Sequence, residues 1–225
     1  MKHSLVKKEI LSVGITDASE KEILEYVMTA IEKKEGKLAI VTPNPEIVMY
    51  ARSHSAYLAK LNQADISLCD GMGLFKAGQF LGTPVKQRIS GVDFMEKLCC
   101  LSAEKAVTVG FLGGRNGVAE KTAKCLMRKY PGLLVKFIGE EWSQDGFAQA
   151  QKYEVESIKY KGKEKTPLNT SYLPPYTKSV DILFVAFGFP KQEAWIADHL
   201  DKLPVRVMMG VGGSFDYISG EVIRA

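Results

Sequence analysis

Short apolar runs that stop abruptly at a cluster of polar residues with Pro or Gly constrain this chain more than any other feature. Residues 38–41 run into Thr42-Pro43-Asn44-Pro45-Glu46, residues 66–69 into Asp70-Gly71, and residues 182–187 into Gly188-Phe189-Pro190-Lys191-Gln192-Glu193. Runs of this length without polar alternation read as strands buried on both faces. Such strands belong to open α/β sheets, whose loops at the carboxyl ends of the strands face one crevice and converge on one ligand.

Helical periodicity fills the intervals. Ile23, Leu24, Val27, Met28 and Ile31 recur at helical spacing between Glu20 and Lys33, after Thr16-Asp17-Ala18-Ser19, where several residues are able to cap. Pro45 suits the first turn of a helix carried on through Ile47, Val48, Ala51, Tyr57 and Leu58. Further helices are predicted near 74–80, over 92–101, over 118–129 and from Pro190 onward, and further strands over 107–112, 134–138 and 205–211. This alternation predicts a single α/β domain over residues 1–225, Rossmann-like, with a mostly parallel sheet and helices on both faces. Residues 151–180 break the rhythm. Lys152, Lys159, Lys161, Lys163, Lys165 and Lys178, with Pro167, Pro174 and Pro175, read as a long, exposed, mobile insertion after a short helix. The alternatives are a lid, or a contact to an anionic membrane through the lysines and Tyr153, Tyr160, Tyr172 and Tyr176.

Composition excludes several classes. The 30 Lys and Arg against 26 Asp and Glu leave a net charge of +4, too small to make nucleic acid a partner but compatible with an anionic substrate. Cys69, Cys99, Cys100 and Cys125 form no CxxC pair, and Cys69 and Cys125 lie in apolar stretches, so no disulfide framework is expected. No run of about 18 apolar residues occurs, and Met-Lys-His-Ser at the start precedes no long apolar core. Neither a signal peptide nor a membrane span is expected, which makes the cytoplasm the expected compartment. The apolar stretches near 74–81 and 94–101 leave a homo-oligomer open, with core burial as the alternative.

Asp70 ends a buried strand and precedes Gly71, whose backbone freedom lets a short carboxylate project into the crevice. It is the first candidate for a general base; the alternative is a cap on the helix near Met72. Thr42 and Asn44 offer donors and acceptors in a loop stiffened by two prolines, suited to sugar or uracil groups, with turn formation as the alternative. Glu46 serves its helix dipole. Pro190 opens a helix whose first N–H groups favour an anion such as a diphosphate, with Lys191 and Gln192 placed to assist. An ordinary helix start with Pro and an acidic first turn accounts for Pro190 and Glu193 but leaves Gln192 unexplained. Gly110, Gly113 and Gly114 resemble a dinucleotide turn only loosely, since their spacing is not G-x-G-x-x-G.

His3, His54 and His199 are scattered and no Asp-x-Asp pair occurs, so neither a metal nor another cofactor is expected, and protein cations must stabilise a departing phosphate. Among Arg88, Arg115, Arg206 and Arg224, Arg88 is best placed, in Gln87-Arg88-Ile89-Ser90-Gly91 between two helices; surface charge is the alternative for each. No G-x-S-x-G occurs, so Gly212-Gly213-Ser214-Phe215-Asp216 reads as another loop on the same crevice.

Taken in order, Thr42-Pro43-Asn44-Pro45-Glu46-Ile47, Asp70-Gly71-Met72-Gly73, Arg88 with Gly91 and Asp93-Phe94, Phe111-Leu112-Gly113-Gly114, residues 183–193, and Gly210-Val211-Gly212-Gly213-Ser214-Phe215-Asp216 resemble the WecG/TagA/CpsF family of bacterial glycosyltransferases. The resemblance covers about residues 10–225. It implies an inverting, metal-independent transfer from a UDP-sugar, typically UDP-N-acetylmannosamine or its uronic acid, to undecaprenyl-diphosphate-linked N-acetylglucosamine. The product is a lipid-linked disaccharide for teichoic acid or another surface polymer. The implied partners are the UDP-sugar donor, the lipid-linked acceptor and the inner face of the bacterial plasma membrane, where the enzyme is peripheral.

By the same resemblance Asp70 is the general base and Arg88 the cation that meets the substrate's negative charge. Thr42 and Asn44 line the pocket, and Gln192 belongs to the nucleotide-sugar site. Gly113, Gly114, Lys191, Gly213 and Asp216, from the loops read above, complete the expected substrate-binding set. Family members usually run on past the position of Ala225 with a short basic tail that contacts the membrane and supplies an arginine for the departing diphosphate. The 225-residue form is therefore expected to bind UDP and transfer slowly; the alternative is a UDP-sugar-binding module with little turnover. Residues 151–180 also depart from the family, being richer in Lys and Pro than the helical stretch usual there. An NAD(P)-dependent oxidoreductase is disfavoured, because no proper glycine fingerprint follows the first strand.

Overall fold

The computed structural model of the chain describes residues 5–160 and 179–223, with 153–160 described by backbone alone. Most of the predicted insertion, including Tyr172 and Tyr176, lies outside the described residues, as do His3 and Arg224.

A hairpin of β1 (Lys7–Ile10) and β2 (Val13–Thr16) leads into α1 (Glu20–Lys33), β3 (Leu38–Val41), α2 (Pro45–Ser53), α3 (Ser55–Asn62), β4 (Ile66–Ser67), α4 (Met72–Phe80) and α5 (Gly91–Glu104). There follow β5 (Thr108–Gly113), α6 (Val118–Lys129), β6 (Leu134–Gly139), α7 (Gln144–Tyr160), β7 (Val180–Ala186), α8 (Lys191–His199), β8 (Val205–Gly210) and α9 (Ser214–Ser219). The main sheet has six strands in the order β4-β3-β8-β7-β5-β6, and every pairing in it is parallel. The β1–β2 pair is antiparallel and separate.

Successive residues of a strand point to opposite faces, and the core divides accordingly. Leu38, Ile40, Phe111, Phe184, Val207 and Met209 bury on one face with residues of α1, α5, α6 and α9. Ala39, Val41, Leu112, Leu183, Val185 and Met208 bury on the other with residues of the hairpin, α2, α3, α4 and α8. Both faces are covered, which is why the strands carry no polar alternation.

The helix at α1 begins with a reciprocal cap. Ser19 accepts from the Glu22 N–H, and the Glu22 carboxylate accepts from the Ser19 N–H at 2.7 Å.

Four expectations need correction. The helix after Pro45 is two helices, broken at His54 (φ −134°, ψ 84°). There the imidazole stacks on Tyr50 at 3.7 Å, and Nδ1 lies 2.9 Å from the Tyr50 carbonyl that a continuous helix would give to the His54 N–H. Residues 151–160 are helical, as the end of α7, where a loop was expected. Residues 214–219 form α9, so Asp216 stands in a helix and not in a loop. The strand at 66–69 is regular only over Ile66–Ser67. Pro43 has no N–H to continue the ladder, yet the Leu68 and Asp70 N–H groups still donate to the Val41 and Pro43 carbonyls at 2.8 and 3.0 Å.

Candidate active site

All six sheet strands point the same way, so the loops leaving β3, β4, β5, β7 and β8 gather at one end. Two sides of that end differ in construction.

On the β3–β4 side, the Asp70 N–H donates to Pro43 and the Ile89 N–H to the neighbouring Cys69 carbonyl, both at 3.0 Å. Asp70 is thereby fixed between the loop after β3 and the loop before α5. Its Oδ2 accepts from the N–H of Gly91, the first residue of α5, at 3.2 Å. The carboxylate therefore serves α5; α4 has Gly71 at its N-cap, at φ +85° and without a side-chain cap. A Cβ on residue 91 would lie 2.9 Å from Thr42 Cγ2 and 3.3 Å from Asp70 Oδ2, so Thr42 and Asp70 close on the same glycine. Burial first and the Asp70 charge second push the Cys69 thiol up to about 11, against the opposing charge of Arg88. Carboxylate and guanidinium thus act on one thiol from neighbouring loops.

Arg88 is exposed, but its loop is pinned to the start of α1. The Lys86 N–H donates to Asp17 Oδ1 at 2.7 Å, Lys86 pairs with Glu22 at 2.8 Å, and the Glu20 N–H donates to Gln87 Oε1 at 2.9 Å. Asn44 is the N-cap of α2, its Oδ1 accepting from the Ile47 N–H at 2.9 Å, so its oxygen does the capping that its loop position allowed.

On the β5–β7–β8 side the backbone predominates. Gly113 ends β5 at φ +100°, where a Cβ would stand 2.8 Å from the Ala186 carbonyl carbon and oxygen; only glycine fits. The Gly114 N–H donates to the Ala186 carbonyl at 2.9 Å. Beyond this turn opens a cavity of about 500 Å³, lined among others by Gly114, Arg115, Gly188, Gly212, Gly213 and Asp216. Lys121 and Glu221, also in its wall, form an ion pair. The first turn of α6 abuts the cavity through Val118 and has no side-chain cap.

Gln192 joins the two sides. Its Oε1 accepts from the Gly212 N–H at 3.0 Å, and Thr42 Oγ1 reaches the Gly210 carbonyl at 3.4 Å, two residues back along the same chain. Gln192 and Glu193 are each only 2% exposed, so an ordinary acidic first turn, the alternative that accounts for Glu193 in the sequence, does not describe its burial. Burial pushes the Glu193 carboxyl upward, opposed by the hydrogen bond from Gln192 Nε2 at 2.7 Å. A signal existed in the sequence: Gln192 stands one turn ahead of Ile196, on the face that helical spacing buries.

The structure therefore brings Thr42, Asp70, Gly113, Gly114, Gln192, Gly213 and Asp216 to one end of the sheet, with Asn44 and Arg88 on adjoining loops. Lys191 is on the exposed side of α8. Sequence reasoning passed over the Gly91 N–H and Glu193 as parts of the arrangement, and Gly188 as lining. Among the described residues, no group of three or more His, Cys, Asp or Glu side chains could hold a metal ion, and no helix is long and apolar enough to cross a membrane.

The comparisons with known proteins agree with the sequence resemblance. The family model described as "Glycosyl transferase WecG/TagA/CpsF family" matches residues 8–162 and 176–225. A Staphylococcus aureus protein (strain NCTC 8325 / PS 47) named N-acetylglucosaminyldiphosphoundecaprenol N-acetyl-beta-D-mannosaminyltransferase is 33% identical over 223 residues, covering 97% of this chain and 78% of the relative. The protein of the same name from strain MRSA252 is 33% identical over 220 residues with the same coverage. With the family model spanning nearly the whole chain and its glycine and aspartate motifs gathered at one end of a parallel sheet, this chain belongs to the WecG/TagA/CpsF family of glycosyl transferases.

Proposed function

We propose that the chain transfers an N-acetylmannosamine-type sugar from a UDP-sugar to undecaprenyl-diphosphate-linked N-acetylglucosamine, by one inverting displacement without a metal ion, in the synthesis of teichoic acid or another surface polymer. The observation that carries this reading is the Asp70 carboxylate beside Thr42 and Gly91, at the same end of the sheet as a glycine-walled cavity, in a chain similar to enzymes named for mannosaminyl transfer.

In this reading the donor diphosphate occupies the cavity, against the Gly114 turn and the first turn of α6, where peptide dipoles favour an anion. Asp216 accepts from hydroxyl groups of the nucleotide sugar, and Thr42 and Asn44 meet the sugar itself. Asp70 takes the proton of the acceptor hydroxyl as that oxygen attacks the anomeric carbon from the face opposite UDP. The carbon–oxygen bond to the diphosphate breaks, UDP leaves with the electron pair, and the centre inverts. Arg88 and Arg115 offset the charge of substrate and leaving group, the role that a metal ion holds elsewhere. A lipid-linked acceptor requires work at a membrane surface, so the enzyme is peripheral at the inner face of the plasma membrane.

Two measurements test the reading. Calorimetry with UDP, and with NAD as control, should give binding to UDP alone. A transfer assay with UDP-N-acetylmannosamine and a soluble lipid-diphosphate-N-acetylglucosamine analogue should give a disaccharide whose anomeric configuration, read by NMR, is inverted from the donor. Retained configuration excludes a single displacement, and UDP binding without any product leaves the chain a binding module.

A further inference from the structure

We propose that Glu193, backed by Tyr57, is a positioning residue: it holds the Gln192 side-chain amide in one orientation and through it the Gly212 N–H, fixing the loop that floors the donor cavity. The inference rests on the reading of that cavity as the donor site.

An amide side chain has two unlike ends, and its neighbours must decide which way it points. Here the neighbours agree. The Gly212 N–H only donates, so it requires the Gln192 oxygen, and the two are 3.0 Å apart. The Glu193 carboxylate accepts, so it requires the Gln192 nitrogen, 2.7 Å away. Gly210 makes room for the amide, since a Cβ there would lie 3.1 Å from Gln192 Nε2. Reversing the amide would set oxygen against carboxylate and N–H against N–H.

Tyr57 approaches the same carboxylate from α3. Burial first, and the Glu193 charge second, hold its phenol above the usual range, so the hydroxyl remains a donor. Tyr57 Oη and Glu193 Oε2 are both buried, and neither has a hydrogen-bond partner at standard geometry among the described residues, so the approach of Tyr57 to the carboxylate is looser than that of Gln192. The Tyr57 ring is itself held edge-on by Tyr50 and Phe189, with centroids 5.2 and 5.8 Å away, and Phe189 follows the cavity-lining Gly188. A carboxylate placed out of water in the first turn of a helix is costly, and an apolar side chain of similar size would pack there at less cost. What the carboxylate supplies in return is direction: a one-way series of donors and acceptors from Tyr57 through Glu193 and Gln192 to Gly212, next to Gly213 of the cavity wall.

The test is NMR on the 225-residue chain, following amide exchange at Gly212 and the Gln192 side-chain NH2 resonances, together with UDP titration. In Glu193→Gln, Gly212 exchange should accelerate about tenfold and UDP binding weaken about tenfold, the effect of losing one hydrogen bond to a charged group. The Gln192 Nε2 proton, shifted downfield by the carboxylate, should move back toward the solvent-exposed position. Tyr57→Phe should change the same signals less. A folded Glu193→Gln with unaltered Gly212 exchange and unaltered Gln192 resonances overturns the proposal. Should Glu193→Gln not fold, Glu193→Met, which keeps the length and removes both oxygens, decides instead: unchanged Gly212 protection with unchanged Gln192 resonances overturns the proposal, and accelerated exchange with shifted Gln192 resonances supports it. Failure of the unaltered chain to bind UDP overturns the donor-site reading alone, because Gly212 exchange in the variants reads the positioning without any ligand.

Discussion

The two sides of the sheet's carboxyl end achieve order by opposite means. Around Asp70, side chains interlock: a carboxylate, a threonine and a glycine N–H meet within contact distance, and neighbouring loops are tied by backbone hydrogen bonds. Around Gly113 and Gly114 the glycines carry no side chain of their own, and their backbone in left-handed conformations bounds an open cavity. One side is suited to placing a single functional group; the other bounds an open space largely with backbone. The difference predicts that substitutions on the first side act on rate and those on the second act on binding and stability.

The largest effect is expected at Asp70. Asp70→Asn keeps the shape and removes the proposed base, so the transfer rate should fall about a hundredfold or more while UDP affinity stays as it was. A drop in UDP affinity of similar size would erase the distinction between the two sides. Next comes Gly113→Ala, which places a methyl group 2.8 Å from the Ala186 backbone at φ +100°. The cost should be about 1–3 kcal/mol, lowering the melting temperature by roughly 3–10 °C and weakening UDP binding in parallel. Arg115→Ala, on the exposed rim of the cavity, should weaken UDP binding about threefold to fivefold, and less at high salt.

The smallest effect is expected at Glu22, which caps α1 and tethers Lys86 in the Arg88 loop. Hydrogen bonds from Lys86 first, and from Ser19, lower its carboxyl from the ordinary 4.5 to about 2. A carboxyl lowered on folding adds stability above pH 4.5 that disappears as the pH falls through about 2. Glu22→Gln should therefore melt about 1 °C lower than the unaltered chain at neutral pH, with the gap closing across that acid window. A gap that persists below pH 2 would show that the loop is held by something other than this charge.

The legible parts of the fold were those where local chemistry and tertiary packing agree. α1 and α6 occupy the residues expected of them, because a capping box opens the first and Pro131-Gly132 closes the way out of the second. The apolar strands were legible because burial on both faces leaves no polar position within them. The hairpin of β1 and β2 was not read: its turn puts Leu11 and Ser12 at φ 50° and 68°, conformations usually announced by Asn or Gly. At His54 a ring contact overrode helical periodicity, which no count of apolar residues detects. In the site, Asp70 was legible from its place between a buried run and a glycine. Glu193 was not legible as part of the site, because an acid in a first turn has an ordinary explanation and only the position of Ile196 one turn after Gln192 hinted that this turn faces inward.

β8 is the last strand among the described residues, and it lies between β3 and β7, linking the β4–β3 pair to the β7–β5–β6 group. While the polypeptide is still on the ribosome, those two blocks have no shared strand among the described residues, and the flanks of β3 and β7 that will receive β8 are open apolar edges. Such edges invite pairing with other chains, so the interval before residues 205–210 emerge is the time of greatest risk of misassembly. Arrival of β8 closes both flanks in one event and in the same event carries Gly210 and Gly212 to Thr42 and Gln192. Closure of the sheet and the joining of the two sides of the pocket are thus a single step in the life of the nascent protein.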